Sequence, residues 1–99
     1  MKVVPGGVLA SPTTTLSAVS SGAVDAATRT FNYTPSELPV LTLIGDLIVF
    51  GTDPRAGAAA MTKSILIDCA ACQEEAEQDN IEILFAVSTA PYNLMCKGN

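Results

Sequence analysis

The sequence predicts a small α+β domain, mostly β, preceded by an extended N-terminal arm. Three observations predict it. Short apolar, β-branched runs alternate with Gly, Pro and Asp turn signals over residues 27–99. One segment alone, Cys69 to Gln78, is rich in helix formers. Residues 1–26 are Ser, Thr, Gly, Ala and Pro with scattered Val and Leu, and keep neither a helical nor a strand period. At 99 residues the chain is one domain at most, with five or six short strands and about one helix.

The arm comes first. Lys2 and Asp25 are its only charges. Such a segment buries too little to offset its ordering entropy, so a partner is expected to hold it. Val3, Val4, Val8, Leu9 and Leu16 are its apolar contact candidates. In Thr28 to Thr34 the larger side chains Arg29, Phe31 and Tyr33 fall on one face at period two, which predicts a strand. Pro35 and Pro39 punctuate a loop. Val40–Ile44 and Leu47–Phe50, joined by Gly45-Asp46, read as a β-hairpin. Gly51 to Gly57 is a turn-rich loop, and Ala58 to Met61 fits a helical turn or packed extended chain equally well. Ser64–Asp68 reads as a short strand. Cys69–Gln78 is a short helix or acidic loop, with Asp68 as its expected N-cap. Ile81–Val87 reads as a late strand, Ser88–Asn93 as a turn, and Leu94-Met95-Cys96 as a last short strand.

Composition excludes several functions. There is no histidine, so Ser-His and Cys-His nucleophile pairs and His-ligated metals are ruled out. Ten acidic against five basic residues leave no footprint for nucleic acid or an anionic membrane. Charge is 15% of residues, against about 25% in typical domains. Mean hydropathy is +0.38. That balance points to a surface that meets another protein. The N-terminal apolar patch is broken by Pro5, Gly6 and Gly7, so no signal peptide is expected. The most apolar window, Leu38 to Phe50, is too short to span a membrane. Synthesis in a cytoplasm is expected, and three cysteines, an odd count, suggest free thiols.

Cys69-Ala70-Ala71-Cys72 is the sharpest chemical signal, because it opens a predicted helix whose N-terminus would lower a thiol pKa. Against a redox role stand the missing upstream βαβ unit and the nearby Glu74, Glu75 and Glu77, which would raise a thiolate pKa. The plainer reading is two small packed residues. A zinc site from Cys69, Cys72 and Cys96 lacks a second Cys-x-x-Cys and any histidine. The acidic run Glu74–Asp79 lacks the spacing of a calcium loop. Lys63 and Ser64 are adjacent and would point to opposite faces of a strand. No cofactor, no metal and no catalytic residue is expected.

From Pro39 to Tyr92 the chain resembles the lambda-type phage head decoration proteins. The resemblance rests on Pro39-Val40-Leu41-Thr42-Leu43, Leu47-Ile48-Val49-Phe50, Gly51-Thr52-Asp53-Pro54, Ala56-Gly57-Ala58-Ala59, Ile65-Leu66-Ile67, Ile83-Leu84-Phe85 and Tyr92. The family's Ala-x-Gly after the small-residue patch is Ala60-Met61-Thr62 here, and the cysteines and acidic run lie outside its pattern. It implies a non-enzymatic cement protein on the outer capsid surface of a virion, bound to the major capsid protein and self-associated, a homotrimer by preference. Such a protein is made in the host cytoplasm and needs neither nucleic acid nor membrane. Two alternatives are another particle component, such as a tail or head-completion protein, and a small thiol–disulfide protein using Cys69 and Cys72.

Overall fold

Proline opens two of the helices at their first position, and a cysteine caps a third. The structure, a computed structural model, describes residues 2–89 and 97–98. Four α-helices follow one another: α1 (Thr15–Ser20), α2 (Pro39–Asp46), α3 (Pro54–Lys63) and α4 (Ala70–Gln78). Short 3-10 turns occupy Phe31–Tyr33 and Leu47–Phe50, and a π-helical turn, Ser64–Asp68, extends α3.

The mostly-β expectation is therefore wrong: no strand is present among the described residues. The hairpin fails at its first half. Pro39 sits at the first position of α2, where its missing N–H costs nothing. Leu38, Leu41 and Gly45 then fall on one buried face at spacings of three and four, while Leu43 and Leu47 point outward. The Gly45-Asp46 link closes this helix instead of turning a hairpin. Residue 45 lies against Phe31, where a Cβ would come within 3.3 Å of the ring. The predicted strand over residues 28–34 is an extended stretch ending in the Phe31–Tyr33 turn. Thr42 anchors that turn, its Oγ1 donating to the Phe31 carbonyl at 3.0 Å.

The Ala58–Met61 ambiguity resolves as helix. Asp53 caps α3, its carboxylate accepting from the Arg55 N–H at 2.9 Å, with Pro54 at the first position. The Ser64–Asp68 strand is the π turn. It sinks Ile65 into the core and leaves Ile67 exposed. Gln73 donates to the Ile65 carbonyl at 2.9 Å, satisfying backbone that the widened turn releases.

Helix α4 matches the expected element over Cys69–Gln78, but the cap differs. Cys69 is the N-cap, and Asp68 pairs with Lys63 at 2.5 Å instead. The C-terminus closes with a Schellman motif. Ile81 N–H donates to Ala76 O at 2.9 Å, Asn80 N–H donates to Glu77 O at 3.0 Å, and Asn80 takes φ 53°.

The late strand expected over Ile81–Val87 does not form: residues 81–87 carry no regular secondary structure. Thr62 tethers this stretch from α3: its Oγ1 donates to Ala86 O at 3.2 Å and accepts from Ala86 N–H at 3.0 Å. The proposed last strand, Leu94-Met95-Cys96, lies outside the described residues, as does most of the Ser88–Asn93 turn.

The core is narrow. Leu16, Leu38, Leu41, Ile65 and Cys72 form it, one or two from each of α1, α2, the π turn and α4. Phe31, Ile44, Ile81 and Ile83 pack around it. The accessible surface is 7352 Å².

Candidate functional site

Two features carry the candidate chemistry: the apolar N-terminal segment and the cysteine pair at the head of α4. The segment divides differently from the 1–26 arm of the sequence reading. Residues 2–9 are exposed, with Val3 at 74%, Val8 at 76% and Leu9 at 61%. Val4 is only partly covered. From Ser11 onward the chain belongs to the body. Thr15 Oγ1 donates to Ser11 O at 2.8 Å to start α1, and Leu16 is buried in the core. Asn80 then donates from Nδ2 to Ser20 O at 3.0 Å, fixing the end of α1 to the end of α4. Leu16 is thus a core residue, not an available contact, and four of the five arm candidates remain on the surface. The Ser/Thr-rich composition around residue 15 hid this, because one leucine in a polar stretch gives no periodic signal.

At the other feature, Cys69 and Cys72 are joined in a disulfide, with their Cα atoms 5.3 Å apart. This corrects the free-thiol expectation for these two residues. A spacing of three at a helix start puts both sulfurs on one side of the first turn, within bonding range. Cys96 lies outside the described residues. The two sulfurs are unequal. Cys72 is fully buried among Leu38, Leu41 and Ile65, while Cys69 is half-buried at the rim. The Cys72 N–H donates to Cys69 Sγ at 3.1 Å. Against Cys72 a cavity of about 280 Å³ runs along α4, lined by Gln73, Ala76, Glu77, Ile81, Glu82 and Ile83.

The acidic run does not face the sulfurs as one block. Glu75 is turned to α2. Its Oε1 accepts from Val40 N–H at 2.7 Å and its Oε2 from Leu41 N–H at 3.1 Å. It thereby serves as the N-terminal cap of a helix that has no side-chain cap of its own. Sequence reasoning missed this role because the two partners lie 35 and 34 residues away.

Arg29 is a further half-buried charge. Burial lowers its pKa from the ordinary value, and Glu37 and Asp79 pull it back up. Its Nη2 donates to Thr34 Oγ1. An arginine so placed stays charged at any physiological pH. No group of three or more Cys, Asp and Glu side chains arranged to hold a metal ion occurs among the described residues. No described helix is long and apolar enough to cross a membrane. Comparison with protein-family models, curated proteins and solved structures returned no match.

Proposed function

We propose that this chain is a non-enzymatic structural subunit that completes its fold's surface against a larger protein shell. The observation that carries the reading is the number of large apolar side chains left exposed and where they lie. Val3, Val8 and Leu9 stand in solvent at the chain's start, and Leu43, Phe50, Ile67 and Phe85 stand exposed on the body. Large apolar side chains left exposed in that number support association with a partner. An extended apolar segment can follow a partner's strand edge or groove, spreading contact over a long track with little demand on individual side chains.

The specific version is a cement on the outside of an icosahedral phage head, bound to the major capsid protein and self-associated, a trimer by preference. Its support is the sequence resemblance. The strand layout on which that resemblance drew is not among the described elements, so the exposed segment and the low charge carry the weight. A subunit that binds only the assembled shell stabilises it by mass action.

The test uses particles banded on a density gradient from the cells that make this chain. The chain is expected in the particle band at a fixed copy number per shell subunit. A variant lacking residues 2–10 is expected to stay folded and remain at the top. Absence of the intact chain from the band, or equal banding of the shortened chain, overturns the reading.

A further inference from the structure

We propose that Cys69–Cys72 is a thiol–disulfide exchange site that opens through Cys69 and favours neutral or cationic thiols over anionic ones. The proposal goes beyond the shell reading and does not depend on it.

The asymmetry of burial sets the direction. An incoming thiolate needs a line of approach to one sulfur from behind the S–S bond. Cys72 is enclosed by the core, so Cys69 is the sulfur within reach. The step is an exchange. The external thiolate bonds to Cys69 Sγ, the Cys69–Cys72 bond breaks, and its electron pair leaves on Cys72 Sγ, which takes a proton from solvent. A second thiol of the same dithiol then bonds to the external sulfur and releases Cys69 as thiolate. The pair gains two electrons and the dithiol becomes a disulfide.

The local structure favours the released Cys69 thiolate. It sits at the N-cap of α4, a nine-residue helix, with the Cys72 N–H 3.1 Å away. Both the helix dipole and that donor stabilise negative charge there. Of Glu74, Glu75 and Glu77, the carboxylates weighed against a thiolate, Glu75 is engaged elsewhere. Glu75 is held by two backbone N–H groups of α2, and Asp68 is paired with Lys63.

The charge that remains acts at a distance. Glu77 and Glu82 line the cavity against Cys72, the disulfide's buried half, and the chain carries a net charge of −5. An anionic thiol is repelled on approach, a cationic one is drawn in, and salt removes the difference.

The test uses the full chain carrying Cys96→Ser, so that only the pair is counted. In native buffer, excess dithiothreitol is expected to reduce the pair while the helical circular dichroism persists. Quenching with acid during treatment with cysteamine is expected to trap the adduct on Cys69, as located by fragment mass. Two further variants, each on the Cys96→Ser background, isolate the sulfurs. Cys72→Ala is expected to react with cystamine about tenfold or more faster than Cys69→Ala, following thiolate exposure. It should also react faster with cystamine than with glutathione disulfide, and the gap should close in about 1 M salt.

A pair that dithiothreitol reduces only in denaturant overturns the proposal, and so does an adduct on Cys72. Equal rates with cystamine and glutathione disulfide at low salt overturn the charge preference. The native reduction and adduct mapping use the intact pair, so they decide the matter even where an alanine variant does not fold.

Discussion

Removing the Glu75 carboxylate should cost this chain a large part of its stability, although the residue belongs to an acidic run that looks solvated. In Glu75→Ala two N–H groups at the head of α2 lose their acceptors at 2.7 and 3.1 Å. Loss of a helix cap costs about 1 kcal/mol. An N–H left unpaired beside a buried side chain costs about 1–3 kcal/mol, and Leu41 is fully buried. The expected total is about 2–3 kcal/mol. With a urea slope of about 1 kcal/mol/M for a chain this small, the midpoint should fall by about 2–3 M. Glu75→Gln keeps one acceptor oxygen but turns an amide donor toward the second N–H, so it should lose about half as much. Glu74→Ala removes the same charge from an exposed neighbour and should stay within about 0.5 kcal/mol of the wild type. The assay is urea unfolding followed by circular dichroism at the helical band. If Glu75→Ala and Glu74→Ala shift the midpoint equally, the capping argument is refuted.

Four other outcomes are expected. Leu41→Ala should cost about 2–5 kcal/mol while Leu43→Ala costs under about 0.5, since one is enclosed and the other exposed; equal costs on calorimetry would restore the hairpin reading, in which both share a face. Thr62→Val removes both bonds to Ala86 and should raise amide exchange across residues 81–87, with a loss of about 1–2 kcal/mol; unchanged exchange there would show that the tether is idle. Asn80→Ala should destabilise by about 1–2 kcal/mol, from left-handed strain and the lost bond to Ser20. Asn80→Gly should lose less because glycine takes the left-handed conformation without strain. Deleting residues 2–10 should leave the thermal midpoint within about 2 °C, whereas Leu16→Ala should lower it by well over 10 °C at about 2–5 kcal/mol.

The sequence made α4 legible because Cys69–Gln78 concentrates strong helix formers in one run. It made α2 and the π turn illegible because their residues are β-branched and apolar, and propensity alone favours strands there. The deciding signals were Pro39 and Pro54. Both were read as loop punctuation, yet each sits at the first position of a helix, where proline is favoured. The apolar spacing of residues 38, 41 and 45 was helical all along. It was masked because Leu43 and Leu47 are apolar too, and they stand exposed. At the candidate sites, the cysteine spacing announced itself, and Val3 and Val8 of the predicted arm stand exposed. Leu16 in the core and Glu75 on α2 were not legible, since both depend on contacts between distant parts of the chain.

The bond from Asn80 to Ser20 spans 60 residues, and it joins the ends of two helices that are themselves short. Helices of six and nine residues are marginal in isolation. Their persistence is therefore contingent on a loop closure that carries most of its entropic cost before any reward arrives. During synthesis, a ribosome must deliver the chain as far as Asn80 before the ends of α1 and α4 can be joined. Until then the emerging segment is open to chaperones, proteases and whatever partner first meets its apolar start.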